Sequence, residues 1–388
     1  MNYKDYLTED VLPFWLDHAI DEDQGGIFTC LDRFGQIYGT EKSVWFQGRA
    51  LWTFSKAYNL VEKNERYRKA ADTIYGFLSK CEDTDGRMYF TVTREGHPIQ
   101  KRRYYYSETF AAIGCAEYYK ATGKEEAWEK AEHYFDIAWR CFRDPSLNPA
   151  KFRIAMKAHG PVMIMMATAR SLAGVGRNRE KYEEIAKELC NELLWGGYIS
   201  READVLLENV LPDGRFSDTP TGRLVNPGHS LETAWFLMGE GLIRKNDEVL
   251  AAAKTIVDMT MPIGVDPKHG GIIAFADALG KPPTALEWDM KLWWPQNEAI
   301  IANRLAYEIF GEEIYREQYE SLTELAFRCF ADREGGEWYG YLHYDNTVSN
   351  TLKGNIFKGP FHLPRMLMIL DQLERKKSPL GFWQDTVL

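Results

Sequence analysis

The sequence SETFAAIGCAEYYKATG (107–123) is followed, one residue later, by EEAWEKAEHYFDIAWRCF (125–142). The first stretch is poor in charge and rich in small residues, which is typical of a helix shielded on most of its sides. The second carries apolar residues at positions i, i+3, i+4 and i+7 between charged ones, which predicts an amphipathic helix with one face in solvent. The two stretches therefore predict a helical hairpin in which an inner helix packs against an outer one.

The same alternation continues along the whole chain. Charge-rich stretches of the outer type occupy residues 3–19, 67–81, 181–194, 247–261 and 313–330. Stretches of the inner type occupy residues 44–60, 160–175, 228–242, 296–311 and 361–373. A recurrence of this kind indicates a fold built from equivalent units.

A small turn followed by a short aromatic or β-branched strand recurs about every 50–75 residues. Its copies are DQGGIF (23–28), DTDGRMYF (83–90), WGGYIS (195–200), HGGIIAF (269–275) and EGGEWYGYL (334–342), with RDPSLNPAKF (143–152) as a degenerate copy. Six helical hairpins joined by such turns predict an all-α fold, an (α/α)6 barrel with short β-strands in its rim loops. We assign residues 1–388 to this single domain.

Composition restricts the class of partner. The formal charge of −10 comes from acids and bases mixed along 388 residues, which argues against nucleic acid or an acidic membrane as partner. The sequence shows no secretory signal and no apolar run long enough to span a bilayer. Its six cysteines are far apart and form no CxxC pair, the usage of reduced, buried thiols. We expect a cytoplasmic protein with a small or neutral ligand.

The candidate functional residues are polar side chains at the start of the predicted inner helices, because such a barrel places these N-terminal ends around a common funnel. Each of these residue types also has a purely structural explanation. A glutamate can interact favourably with the helix dipole, an arginine can pair with a buried acid, and a single histidine can be a core residue with its hydrogen bonds satisfied. His159 and the remaining histidines are assigned to surface or packing positions. The candidates are Arg49, Glu108, His229, Glu232, Glu298 and His362.

Seven stretches together resemble the N-acylglucosamine 2-epimerase family, which also includes the renin-binding protein. They are FWLDHAIDEDQGGIFTCLDRFG (14–35), VWFQGRALW (44–52), NPGHSLETAWFL (226–237), DPKHGGIIAF (266–275), ALEWDMKLWWPQNEAI (285–300), GEWYGYL (336–342) and FKGPFHLPRML (357–367). The resemblance extends essentially from end to end. It implies the (α/α)6 barrel and the interconversion of N-acetyl-D-glucosamine and N-acetyl-D-mannosamine by inversion at C2.

The resemblance also implies roles for individual residues. We add Glu108 to the substrate-binding group because of its place at the start of an inner helix. The implied catalytic residues are Arg49, His229, Glu298 and His362, and the implied substrate-binding residues are Glu232, Trp294 and Phe357.

These residue types suit inversion of a carbon next to a carbonyl, which requires a proton to leave one face and another to return on the opposite face. Two histidines can exchange these protons near neutral pH without a metal or a nicotinamide. Arg49 would neutralise the oxygen on which charge develops, and Glu298 would orient a histidine or a sugar hydroxyl. The sequence therefore predicts an isomerase that requires no cofactor.

The substrate prediction depends on the inner helix that contains GPVMIMMATA. Family members that act on unmodified sugars, such as the cellobiose 2-epimerases, carry an HxxE pair there, and Met163 and Met166 stand at what we align as these positions. Two thioethers favour an N-acyl group over a free 2-hydroxyl. Epimerisation or isomerisation of mannose or glucose remains the alternative.

Three other classes of protein fit the sequence less well. A glycoside hydrolase would use two of the carboxylates at the funnel, but this leaves the paired histidines unexplained. A metal enzyme would need more ligands than the single histidine and glutamate of HSLE. A non-catalytic sugar- or protein-binding relative would be favoured by loss of either histidine, and both are present.

The family resemblance also implies homodimers and a response to ATP, which the reaction does not consume. The sequence contains no GxxxxGK[ST] loop, so a nucleotide would act as an allosteric activator at an unassigned site.

Overall fold

The computed structural model describes residues 2–149 and 154–376. Within them, twelve helices alternate between an outer and an inner layer, counting the segmented first helix as one. The outer helices are α1 (Tyr3–Tyr6, a π-helical Leu7–Val11 and Leu12–His18), α3 (Glu65–Leu78), α5 (Glu125–Arg143), α7 (Arg179–Trp195), α9 (Asp247–Gly264) and α11 (Glu313–Cys329). The inner helices are α2 (Val44–Lys56, continued by a π-helical Ala57–Val61), α4 (Tyr106–Thr122), α6 (His159–Ala173), α8 (Pro227–Arg244), α10 (Trp293–Phe310) and α12 (His362–Lys376).

Inner and outer helices differ in how much of their surface is buried, and this difference explains the charge-poor and charge-rich sequence types. In α4, every residue from Ser107 to Tyr118 is buried, whereas α5 buries one face only. Each inner helix packs against the next around the ring, and α12 closes it against the π-helical turn that follows α2. The predicted (α/α)6 barrel is confirmed.

Small residues allow the inner helices to approach closely. A Cβ atom added to Gly48 on α2 would lie 2.5 Å from the Phe110 carbonyl carbon on α4, and one added to Gly114 would lie 2.7 Å from the Gly48 carbonyl oxygen. No side chain fits between these backbones. The contact fixes Arg49, the neighbour of Gly48, against the ring of Phe110.

Short antiparallel strands pair with one another along the rim at which the inner helices begin. Most of the strands that directly precede an inner helix pair with a strand of the following unit, and a bridge between Leu31 and Gly354 joins the first and last units. The strands are β1 (Cys30–Leu31), β2 (Ile37–Gly39), β3 (Lys42–Ser43), β4 (Thr91–Val92), β5 (Pro98–Gln100), β6 (Lys157–Ala158), β7 (Ile199–Ser200), β8 (Val205–Leu206), β9 (Asn209–Val210), β10 (Leu224–Val225), β11 (Ala276–Asp277), β12 (Lys291–Leu292), β13 (Tyr341–Leu342) and β14 (Val348–Asn350). The pairs are β1–β2, β3–β4–β5, β6–β9, β7–β8, β10–β11 and β12–β13–β14.

The recurring turns are equivalent in structure as well as in sequence. The side-chain amide of Gln47 hydrogen-bonds both the N–H and the carbonyl of Ile27, at 2.8 and 2.9 Å, and Gln296 binds Ile272 in the same way, at 2.8 Å each. The degenerate copy at 143–152 differs, because its described part forms a short 3-10 turn, Pro145–Leu147, and its last three residues lie outside the described residues.

Two properties of the whole chain bear on the sequence predictions. Among the described residues, no helix combines the length and the apolar character needed to span a bilayer. The six cysteines are unpaired, and five of them are buried.

Candidate active site

The inner helices enclose a cavity of about 390 Å³ near their N-terminal ends. Glu298 lies fully buried directly behind its wall. Six of the eight predicted site residues line the cavity: Arg49, His229, Glu232, Trp294, Phe357 and His362.

His362, the first residue of α12, is held by a carboxylate. Its Nδ1 lies 2.8 Å from Oε1 of Glu298, and the other Glu298 oxygen accepts a hydrogen bond from the indole of Trp235 at 2.8 Å. Arg365 donates to Glu298 at 2.7 Å and to Glu232 at 2.5 Å. Because Nδ1 of His362 donates to Glu298, its Nε2 carries a lone pair that is available to accept a proton.

His229, in the first turn of α8, is held by a second carboxylate. Its Nδ1 lies 3.0 and 3.1 Å from the two oxygens of Glu208, a residue between β8 and β9. The backbone of Glu208 is fixed on both sides, since its N–H donates to Leu224 and its carbonyl accepts from His159. The cavity therefore contains two histidine–glutamate pairs, and only the Glu298 of His362 is also bound by an arginine.

This difference moves the two histidine pKa values in opposite directions. Burial, followed by the positive charges of Arg365 and Arg49, lowers the pKa of His362 well below its ordinary value. Burial also acts to lower the pKa of His229, but the charge and hydrogen bond of Glu208 outweigh it, and the pKa of His229 is raised. A proton shared between the two histidines therefore favours His229 over His362.

Arg49 is a cation without a carboxylate partner among the described residues. Its guanidinium lies 4.1 Å from the ring centre of Phe110 and donates to the carbonyl of Phe357 at 3.3 Å. Its Nε–H is buried and has no hydrogen-bond acceptor in the part of the chain that the structure describes. Burial lowers the pKa of Arg49 to about 10, so it remains charged at neutral pH. Such a group is suited to bind an oxygen that acquires negative charge.

Trp294 lies close to both histidines. Its ring centre lies 5.2 Å from that of His229 and 5.8 Å from that of His362. All three rings line the cavity, so both imidazoles face one space of which Trp294 forms an aromatic wall.

Glu108 does not belong to this group. It is fully buried, and its Oε1 accepts hydrogen bonds from Arg87 at 2.6 Å and from the Met88 N–H at 3.1 Å. The cavity is lined instead by Tyr106 and Phe110 on either side of it. Because successive helical residues are rotated by about 100°, Glu108 points away from the cavity and joins α4 to a rim turn.

Of the two positions predicted for His159, surface or packing, the structure has the packing one: His159 begins α6, is buried, hydrogen-bonds Thr233 at 2.6 Å and lies 3.7 Å from Glu208. The expectation of two methionines in the cavity wall was wrong in part. Met163 lines the cavity as expected, but Met166 packs in the core beside it. The thioether wall therefore contains one methionine.

Glu208 and Arg365 were missed by the sequence reasoning. Glu208 interrupts the apolar run VLLENVL. A charge within such a run needs a partner, so the sequence alone could have indicated that Glu208 binds another polar group. Arg365 stands three residues after His362 on one helical face, as Glu232 does after His229.

Within the described part of the chain, two groups of side chains have donor atoms that suit a divalent cation: His159 with Glu208 and His229, and Glu232 with Glu298 and His362. In the second group Arg365 binds both carboxylates and already supplies the positive charge. In the first, Glu208 and His229 satisfy each other by a hydrogen bond. Existing contacts thus balance the charges that would attract a cation.

The chain is similar to several known proteins. The family model described as N-acylglucosamine 2-epimerase matches residues 26–359. The N-acylglucosamine 2-epimerase of Rattus norvegicus is 34% identical over 379 residues, covering 94% of this chain and 89% of the relative. The cellobiose 2-epimerase of Ruminococcus albus is 28% identical, covering 93% and 95%. A crystal structure of D-mannose isomerase superposes with a TM-score of 0.84 at 20% identity, covering 96% and 97%, and so shares the fold.

Proposed function

The chain belongs to the N-acylglucosamine 2-epimerase family, and from this premise we propose that it interconverts N-acetyl-D-glucosamine and N-acetyl-D-mannosamine. One observation carries the proposal: two histidines whose pKa values are shifted in opposite directions line the same cavity beside Trp294. An acid and a base on opposite sides of one carbon are what inversion requires.

The reaction begins with the ring-opened sugar, whose C2 lies between the two imidazoles. Neutral His362 removes the C2 proton, the electron pair moves into the C1 carbonyl, and protonated His229 returns a proton to the other face of C2. After this turnover His362 holds a proton and His229 is neutral. The reverse reaction starts from this second arrangement, so one pair of residues serves both directions.

Arg49 supports the intermediate. Deprotonation at C2 places negative charge on the C1 oxygen, and a fixed guanidinium with an unpaired N–H lowers the energy of that state. Glu298 and Glu208 bind Nδ1 of their histidines and leave each Nε2 to exchange protons. No step in this scheme uses a metal or an organic cofactor.

The substrate preference is supported by the wall on α6. At Met163 and Ala167 this wall offers no hydrogen-bond donor to a free 2-hydroxyl. The alternative is an unmodified hexose, since the cellobiose 2-epimerase of Ruminococcus albus and D-mannose isomerase are both similar to this chain.

A glycosidase mechanism is disfavoured by the state of the carboxylates. Glu232 and Glu298 both bind Arg365, so neither is free to act as nucleophile or as protonated acid. Homodimer formation, activation by ATP and a cytoplasmic location stay predictions.

The test is incubation with N-acetylmannosamine, mannose and glucose separately in D2O. Proton and carbon NMR then report deuterium at C2 and the identity of the product. We expect deuterium and epimer from the N-acetyl sugar, with kcat/KM at least about 10-fold above that for mannose. Faster turnover of mannose or glucose would assign the chain to the unmodified-sugar alternative.

A further inference from the structure

A third histidine lies behind the candidate active site. His159, the first residue of α6, is 1% exposed and does not line the cavity. It contacts Glu208, the carboxylate partner of His229, at two points: its backbone N–H donates to the Glu208 carbonyl at 2.9 Å, and its Nδ1 lies 3.7 Å from Oε2. The same oxygen lies 3.1 Å from Nδ1 of His229. No step of the proposed reaction uses this buried imidazole.

Thr233 decides which nitrogen of His159 carries the proton. Its hydroxyl is fully buried and lies 2.6 Å from Nε2 of His159, its one hydrogen-bond partner among the described residues. A buried hydroxyl with a single partner donates to that partner, so Nε2 accepts. In a neutral imidazole the proton is then on Nδ1. Nδ1 is the nitrogen that faces Glu208.

These contacts return to the helix from which they start. Thr233 stands four residues after His229, on the same face of α8. From the Thr233 hydroxyl they lead to His159 on α6, then to Glu208 in the rim segment, and then back to Nδ1 of His229 at 3.0 Å. The Glu208 carboxylate therefore lies between two Nδ1–H groups, and only one of the two rings lines the cavity.

The carboxylate of the other histidine pair has a comparable second donor. Oε2 of Glu298 accepts a hydrogen bond from the indole of Trp235 at 2.8 Å, while Oε1 binds His362. At 3.7 Å the contact of His159 with Glu208 is longer than a hydrogen bond, so the N–H dipole acts on the carboxylate through its electric field. Loss of this dipole would leave Glu208 in place, because its backbone is fixed on both sides.

We propose that His159 is a positioning residue that acts on the acid of the reaction through Glu208: its Nδ1–H, oriented by the hydroxyl of Thr233, faces the carboxylate and reduces the effect of the negative charge on His229. The inference rests on the proposed function, in which His229 is the acid. Without this dipole His229 holds its proton more tightly and is a weaker acid. His159 does not line the cavity, so it influences proton transfer and not substrate binding.

Other titratable or charged side chains of the described chain face Glu208 and His229 from the rim and from the neighbouring inner helices. Burial raises the pKa of the two tyrosines among them, and the two acids both bind the arginine of α12. The variants below replace none of them, so a shift of the pH profile reports on His159. They are Arg49 on α2, Tyr106 on α4, Tyr198 in the rim, Glu232 on α8, Glu298 on α10, and His362 and Arg365 on α12.

The first test measures kcat, KM and the pH profile of epimerisation for His159→Phe, His159→Asn and His159→Gln, with N-acetylmannosamine or with mannose if that is the sugar epimerised. Asparagine places an amide N–H near the position of Nδ1 and keeps a donor for Glu208, whereas glutamine places it near Nε2 and keeps only the contact with Thr233. Met165→Leu is the matched control, because Met165 is buried on the same helix outside the cavity. The melting temperature of each variant shows whether it folds.

In His159→Phe and His159→Gln the alkaline limb should move up by as much as about 1 pH unit, less than a full charge would cause, since His229 acts in its protonated form. We expect kcat to fall about 3- to 10-fold and KM to change less than about 2-fold. His159→Asn should restore most of kcat, and Met165→Leu should change neither limb. A residue that only supports the fold would, when lost, loosen Glu208 and move the limb down. That outcome, or wild-type kinetics in a folded His159→Phe variant, would overturn the proposal.

The second test needs no substrate. Nitrogen NMR of protein with labelled histidine rings distinguishes an imidazole protonated on Nδ1 from one protonated on Nε2, and the signal of His159 is the one missing from His159→Asn. We expect the proton on Nδ1, with a change in Thr233→Val, which lacks the hydroxyl, and none in Thr233→Ser. A wild-type ring protonated on Nε2 alone would overturn this inference and leave the proposed function standing. Absence of turnover of N-acetylmannosamine, mannose and glucose would overturn the proposed function and the inference with it.

Discussion

Glu208→Gln tests whether the carboxylate behind His229 keeps this histidine protonated. Glutamine has the same size and retains an oxygen that can accept the Nδ1–H of His229, so the imidazole keeps its orientation while its partner loses the negative charge. The charge in question is 3.0 Å from Nδ1. An opposite charge at such a distance moves a pKa by about 1 to 3, and each unit corresponds to about 1.4 kcal/mol.

The direction of each pH effect on activity follows from whether the histidine acts in its protonated or its neutral form. His229 donates its proton, so activity is lost as pH rises through its raised pKa, and His362 accepts a proton, so activity is lost as pH falls through its lowered pKa. The profile of kcat/KM against pH is therefore bell-shaped, and its two limbs belong to the coupled pair. In Glu208→Gln the alkaline limb should move down by about 1 to 3 pH units, and kcat/KM above that limb should fall about 10- to 1,000-fold.

The assay is epimerisation of N-acetylmannosamine followed by NMR across the pH range, with the melting temperature of each variant measured beside it. Glu202→Gln is the control, because it removes the same charge from an exposed position in the same rim segment. An alkaline limb that stays where it is in the wild type, in a folded Glu208→Gln variant, would refute the assignment of the proton to His229.

The other predictions address the remaining site residues. His229→Asn and His362→Asn should each abolish epimer formation with little change in melting temperature, and exchange of the C2 proton of one sugar only in D2O would identify the face that the remaining histidine serves; normal turnover in either variant contradicts the two-base scheme. Arg49→Lys should lower kcat about 100- to 1,000-fold, since an ammonium lacks the planar fork that contacts the developing oxyanion, whereas an unchanged kcat would make the residue structural. Glu108→Gln should reduce the free energy of unfolding by about 1–3 kcal/mol, measured by urea denaturation, and leave kcat/KM within about 2-fold; a large loss of activity would return Glu108 to the site. Dialysis against EDTA should leave kcat unchanged, and restoration of a lost activity by one added divalent metal would show that a metal takes part.

The fold could be predicted because its signal is repeated and local. Hydrophobic periodicity places α5 at residues 125–142, and the structure has Glu125–Arg143. Each inner helix that the pattern suggests is present, because small residues at the contacts between inner helices are as necessary to the barrel as the charged faces of the outer ones. Six pairs of one inner and one outer helix are enough to close the ring, so the sequence pattern alone predicts the closed barrel.

From the sequence, the site could be predicted only for residues that lie at the start of a predicted inner helix. The sequence left His159 as a surface or packing residue because the predicted helix begins one residue later, at Gly160, whereas α6 begins at His159 itself, where the side chain is buried. Glu108, like Glu298, lies in the first turn of a predicted inner helix, but it faces the rim, and periodicity gives this direction only once a neighbour such as Phe110 is known to face the cavity. Glu208 lies in a rim segment whose contact with His229 depends on how distant parts of the chain pack.

The asymmetry of the two histidines originates in two short motifs that differ in the sign of one charged residue. His229 is followed three residues later by Glu232, and His362 is followed three residues later by Arg365, and these two side chains bind each other at 2.5 Å. The ion pair thus connects the two helices that carry the histidines, α8 and α12. It also places the cation next to the glutamate of His362, whereas Glu208 has no arginine beside it among the described residues and pairs with His229 itself. One contact thus both holds the imidazoles on the same cavity and makes them unequal as acid and base.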